Sequence, residues 1–333
     1  MRERLLPLAL VGVASWIVYG CGGGTGVDTG AGGDAGPAGS GGGTTGAAGS
    51  GSGAGGGGSI AVAGQGGTMA AAGRGGTTAT AGAGGPGGTG GGATGGGAAV
   101  PSCTWPTPAS TVMLSATQTI GGSYDGGMRR FVGTGALGSS SQNEDQGALF
   151  NVANGGTLQN VILGNPAADG VHCEGSCTLR NVWWEDVGED AATLQGSSPS
   201  QVMTIDGGGA RAASDKVFQH NGPGTMIIRN FCAQDFGKLY RSCGNCDVQY
   251  ARNVQVQNVI VVPGSGTSAL VGVNANYNDT ATFSAVTVRA RANSVTICQR
   301  YTGNNTGAEP TSAGSGADGT VCKYAAADIT WMP

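Results

Sequence analysis

The sequence predicts an all-β solenoid, a parallel β-helix, on three observations. Short β-rich runs recur along the carboxy-terminal two thirds, apolar residues alternate within each run, and an asparagine returns at the same place in several of them. The runs are TLQNVIL from 157, TLRNVWW from 178, VMTIDGG from 202, MIIRNFC from 226 and VQVQNVIVV from 254. Asn160 and Asn181 stand 21 residues apart, and Asn230 and Asn258 hold the same place before Phe231 and Val259. A period of roughly 20 to 30 residues with strand signals and little helical pattern belongs to a solenoid. Inward Val, Leu and Ile stack coil upon coil, and asparagines at the turns ladder and satisfy backbone groups. A leucine-rich repeat lacks its strict leucine frame here, and a β-sandwich would bring strands about every 8 to 12 residues.

The elements ahead of the solenoid follow from composition. Arg2 and Arg4 precede the apolar run LLPLALVGVASWIVYG, and Cys21 follows it. A charged start with a short hydrophobic core is a secretory signal over residues 1–20, too short and wrongly flanked for a membrane span. VYGC at 18–21 looks like a bacterial lipobox, in which Cys21 is lipidated and becomes the mature amino terminus; ordinary cleavage leaving a free thiol is the alternative. Residues 21–100 hold much of the chain's 69 glycines, with Ala, Thr and Ser, and too few large apolar groups to bury a core. They read as a flexible tether with a root-mean-square span of about 50 Å. Glycine does not recur every third residue, which excludes collagen. GAGGPGG has no strand before it and no helix after it, which excludes a phosphate-binding loop.

Residues 101–333 then form one domain. Its cysteines are Cys103, Cys173, Cys177, Cys232, Cys243, Cys246, Cys298 and Cys322, an even set that suits disulfides in an exported protein. The expected pairs are Cys173–Cys177, Cys243–Cys246, Cys298–Cys322 and Cys103–Cys232. A zinc site built from Cys173, Cys177, Cys243 and Cys246 is the competing reading. The net charge of -4 favours neither nucleic acid nor an anionic membrane as partner, so membrane contact is expected only through the anchor at Cys21, and the domain is expected to be a monomer.

Stacked coils lie about 4.8 Å apart, so polar residues one period apart meet on the outer face. Glu144, Asp169, Glu189, Lys216 and Arg241 follow at steps of 25, 20, 27 and 25 residues, roughly one per coil, three acids and then two bases. Carboxylates about 4 Å apart repel by roughly 4 kcal/mol per pair at an effective dielectric of 20 unless a cation joins them. Calcium, with its flexible shell of oxygen ligands, is the natural candidate. Asp190 reaches the same place only if the strand bends at Glu189. A solvated acidic turn is the ordinary alternative for any one of these acids. Lys216, with Lys238 nearby, is an ordinary surface charge by composition alone. Beside Arg241 and a divalent cation its neutral form is favoured, which suits a base.

The chain has only two histidines, too few for a histidine-rich zinc centre, and no GxSxG elbow. His172 is expected to sit near the cysteine pair rather than to act in catalysis; His220 is expected to bond either substrate or backbone. Trp183 and Trp184 should lie on alternate faces, one in the core and one on the surface.

Three longer motifs carry a family resemblance: ADGVHCEGSCTLRNVWWEDVGEDA at 168–191, ASDKVFQHNGPGT at 213–225 and NFCAQDFGKLYRSCGNC at 230–246. They resemble the family-three polysaccharide lyases, pectate lyases of bacteria and fungi, over about residues 120–300. The resemblance implies a right-handed parallel β-helix, calcium dependence and cleavage of polygalacturonate to unsaturated oligogalacturonides. It implies Lys216 as base, Arg241 as carboxylate ligand and Lys238 as a binding aid. It also implies Asp169, Glu189, Asp190 and Glu144 as calcium ligands, with Asp215 as ligand or support. The segment from Thr302 to Pro333 has no counterpart in this resemblance. A polygalacturonase-like hydrolase with paired carboxylates, and a non-catalytic pectin-binding solenoid, are the rival readings.

Overall fold

The structure is a computed structural model and describes residues 101, 103–143 and 146–333. The signal segment, Cys21 and the tether, like Glu144, lie outside the described residues. Within them successive coils pair in parallel along three ladders of strands.

The asparagine runs straddle a corner. In Gly156–Leu163 and Cys177–Trp184, the first half of each strand belongs to one sheet and the second half to the next. Asn160 and Asn181 sit between the halves at φ 53° and 51°, with Asn230 and Asn258 at 54° and 51°. This is the left-handed region, which asparagine enters more readily than most side chains. The amides ladder along the corner: Asn181 Nδ2 donates to Asn160 Oδ1 and Asn258 Nδ2 to Asn230 Oδ1, both at 2.8 Å. Each ladder ends on a carboxylate, Asn160 donating to Asp125 Oδ2 and Asn230 to Asp206 Oδ1.

Inside the coils the alternating residues stack in register, Leu158 on Leu179, then Ile205, Ile228, Val256 and Phe283. All are buried. The VMTIDGG run proves to be only the start of Val202–His220, one strand that bends through all three sheets. The third sheet, which carries or adjoins the candidate site residues, is the one the runs did not reveal. It comprises Gln118–Ile120, Phe150–Val152, Val171–Cys173, Ala192–Leu194, residues 218–220 and 238–242, Ala269–Asn274 and Thr296–Thr302.

The four disulfides join Cys103 to Cys232, Cys173 to Cys177, Cys243 to Cys246 and Cys298 to Cys322, as expected. This removes the zinc alternative, because its four thiols are consumed in two local bridges. Residues beyond Thr302 continue the solenoid: Cys322–Lys323 and Ile329–Trp331 add to the sheets above Thr280–Val288.

One expectation changes. Trp183 and Trp184 lie on opposite faces, but both are buried. Trp184 fills the core against Phe218 and Phe231, while Trp183 is covered by Trp105, 5.2 Å away, on the amino-terminal segment that the Cys103–Cys232 bridge ties down. His220 takes the backbone side of its two expected partners, with a main-chain contact at Pro223. It points inward, fully buried, with Nδ1 2.8 Å from Tyr240 Oη, and burial pushes its pKa down to about 3, so it is neutral.

Candidate active site

Main-chain pairing of the third sheet extends upstream of its short strands. Val171 N donates to Ala191 O and Ala191 N to Val217 O. This sets Asp169, Asp190 and Lys216 in line on successive coils, and Lys238 is the register partner of Lys216. Glu189 falls one residue before the line. The chain bends there, and its carboxylate still joins the group: oxygen atoms of Asp169, Glu189 and Asp190 lie within 4.8 Å of one another. Arg241 falls three residues after Lys238 in a second line with His172, Thr193 and Gln219. Counting along the chain merged these two lines because the coils differ in length, whereas hydrogen-bond register separates them.

The three carboxylates are almost sealed, at 7%, 3% and 2% exposure for Asp169, Glu189 and Asp190. Burial, then repulsion from Glu189, raises the pKa of Asp169 even against the pull of His172. Burial drives Asp190 well above the ordinary carboxylate value, opposed by Lys216 and reinforced by the charges of Glu189 and Asp169. Asp169 Oδ1 is buried without a hydrogen-bond partner, and Asp190 Oδ1, also without a hydrogen bond, is met by Lys216 as an ion pair. An all-oxygen anionic cluster with orphaned lone pairs fits a hard divalent cation. His172 and Gln195 adjoin this cluster, and sequence reading did not assign them to it. His172 Nε2 lies 2.7 Å from Asp169 Oδ2, and Gln195 Nε2 lies 3.2 Å from His172 Nδ1. His172 holds Asp169 through Oδ2, and Asp169 Oδ1 has no hydrogen-bond partner.

Lys216 adjoins this group. Its Nζ lies 3.1 Å from Glu189 Oε1, 3.4 Å from Asp190 Oδ1 and 3.2 Å from Asp215 Oδ2. Asp215 stands apart from the three buried acids. Its half-exposed carboxylate lies between the two lysines, with Lys238 Nζ at 3.6 Å. Burial pushes its pKa up, but Lys216 and Lys238 together outweigh that and hold it below the ordinary value.

Arg241 has no carboxylate partner among the described residues. Its one hydrogen bond among the described residues runs from Nη1 to Asn274 Oδ1 at 3.1 Å, and its guanidinium carbon lies 4.0 Å over the ring of Tyr301. A guanidinium has five N–H donors. Most of this group's hydrogen-bonding capacity is therefore left for an anion. Asn274 and Tyr301, like His172, carried no sequence signal, since only strand register brings them to Arg241.

A solenoid face that sets an amine beside buried carboxylates, with an unpaired guanidinium on the next line, defines an enzyme for an anionic polymer, a polysaccharide lyase of the β-helix class. A family model described as pectate lyase matches residues 102–307. Pectate lyase E of Emericella nidulans is 45% identical over 224 residues, covering 66% of this chain and 85% of that protein. Pectate lyase H of the same organism is 45% identical over 225 residues, covering 66% and 84%. Among solved structures, pectate lyase PelI from Erwinia chrysanthemi in complex with tetragalacturonic acid aligns with a TM-score of 0.55 and 31% identity over 68% of this chain and 70% of that one. Pel3 from Pectobacterium carotovorum aligns at 0.54 with 26% identity, covering 67% and 69%. The chain belongs to the pectate lyase family.

Proposed function

We propose that this lyase cleaves polygalacturonate by calcium-assisted β-elimination, with Lys216 as the base. The observation that carries the reading is the position of Lys216, whose amine touches the buried acids and whose register partner Lys238 lies on the strand that also carries Arg241. Arg241 binds the C6 carboxylate of a galacturonate residue, and Lys238 holds the chain close by. Withdrawal of charge by Arg241 acidifies the C5 hydrogen. Lys216 takes that proton, the electron pair left on C5 forms the C4–C5 double bond, and the C4–oxygen bond breaks. The departing glycosidic oxygen then takes a proton from solvent.

Asp169, Glu189 and Asp190 would hold calcium, with Glu144 proposed as a further ligand. When bound, calcium supplies positive charge that stabilises the enolate-like carboxylate and opposes a second positive charge on Lys216. Asp215 supports both lysines. The four disulfides among the described residues support a secreted enzyme. The amino-terminal segment is proposed to carry the signal, the lipid anchor at Cys21 at the cell surface or outer membrane, and the tether.

The test is to incubate the purified protein with polygalacturonate, with and without a calcium chelator, and follow ultraviolet absorbance of unsaturated ends. Calcium-dependent absorbance is expected. Saturated reducing ends without absorbance would mean a hydrolase, and binding without either product would mean a non-catalytic solenoid.

A further inference from the structure

Arg241 reaches its place across two neighbouring strands. Gly272 is its register partner in Ala269–Asn274, and Asn274 is the register partner of Tyr301 in Thr296–Thr302. The Arg241 side chain crosses Gly272 to lie on the Tyr301 ring. A Cβ at Gly272 would stand 2.9 Å from Arg241 Cδ and 3.1 Å from Tyr301 Cε2, and one at Gly244 would stand 2.4 Å from Arg241 Nη2. The Asn274 amide cannot turn. Its Nδ2 donates to Cys243 O at 2.8 Å and its main-chain N–H to Asp279 Oδ2 at 2.8 Å, so its oxygen faces Arg241. Both Asn274 and Asp279 are fully buried.

We propose that Tyr301 and Asn274 are positioning residues for Arg241, and that Gly272 and Gly244 provide the clearance that lets the guanidinium lie on the ring. This rests on the reading of Arg241 as the carboxylate ligand. An arginine side chain has many rotamers, and a planar carboxylate is bound well only by a guanidinium already held in plane. The ring face sets the plane and Asn274 sets the edge. The donors left over are then aimed before the substrate arrives, and binding does not have to order them.

The experiment measures affinity for tetragalacturonate by calorimetry in calcium-saturated protein whose turnover is blocked by Lys216→Ala. Tyr301→Leu and Gly272→Ala should each weaken binding about tenfold, in line with loss of a cation–π contact. Tyr301→Phe, which keeps the ring, should stay within about twofold. Once Arg241→Ala is added, Tyr301→Leu should have no further effect. Calcium affinity should be unchanged in all of them. The inference is overturned if Arg241→Ala weakens binding while Tyr301→Leu and Gly272→Ala do not, or if the Tyr301→Leu loss persists undiminished without Arg241. If Arg241→Ala itself leaves affinity intact, the carboxylate-ligand reading fails, and the inference with it.

Discussion

Replacing Lys216 by methionine separates its two relations, one to substrate and one to the acids. The substitution nearly preserves side-chain length, so the almost sealed site keeps its packing. A general base contributes about 10²- to 10⁴-fold, and turnover of polygalacturonate should fall by at least that much. Calcium affinity should move the other way. The ammonium lies 3.1 Å from Glu189 Oε1 and 3.4 Å from Asp190 Oδ1, on the oxygens that would take the cation. Unit charges 4 Å apart interact by about 4 kcal/mol at an effective dielectric of 20. Much of this is recovered in the native protein because the amine also has Asp215 at 3.2 Å, where it can stay while a cation enters. Keeping about a third, near 1.4 kcal/mol, predicts calcium binding about tenfold tighter in the variant. Titration calorimetry of chelator-stripped protein and ultraviolet assay of product read the two effects separately. Turnover within tenfold of the native enzyme refutes Lys216 as base, and weaker calcium binding refutes the competition between amine and cation.

Without calcium, the raised pKa values of Asp169 and Asp190 mean that the folded state holds protons above the ordinary carboxylate value of 3.8. Stability contributed by these groups is then lost as pH rises from that value through the raised ones. Thermal melts with chelator should therefore show a melting temperature that climbs as pH is lowered from neutral, and calcium should flatten the slope; an unchanged slope would count against the site. Asp190→Asn should abolish the calcium-induced rise in melting temperature while leaving the chelated protein at least as stable as the native one. Leu179→Ala, in the middle of the buried stack between Leu158 and Ile205, should destabilise by about 2 to 5 kcal/mol in denaturant unfolding. Asn181→Val, at φ 51°, should destabilise by about 1 to 2 kcal/mol from backbone strain, beyond the lost side-chain bonds to Asn160 and Trp183, whereas Asn181→Gly should lose only those bonds.

The corner runs were legible because strands of period two cross an asparagine in four of the coils, and both signals are local. The third sheet was not. Its strands Phe150–Val152, Val171–Cys173 and Ala192–Leu194 span three residues each, too short for alternation to register. The acids, Lys216, Lys238 and Arg241 were found through long motifs and approximate spacing. Spacing assigned Glu189 and Arg241 to one ladder, where register places Asp190 and Lys238. One of Trp183 and Trp184 was expected at the surface because strand alternation describes one sheet and knows nothing of Trp105, tied over Trp183 by a disulfide spanning 129 residues.

By itself the sequence determined the solenoid, its corner asparagines, the chemistry of the acidic and basic residues and the family, since these rest on residue type and local period. Only the tertiary structure decided which polar groups meet. The buried acids gather beside Lys216, His172 turns to Asp169, and Tyr301 lies beneath Arg241 because each coil must close its hydrogen bonds on the one before it. That register depends on the length of every intervening turn, a property no single stretch of chain contains.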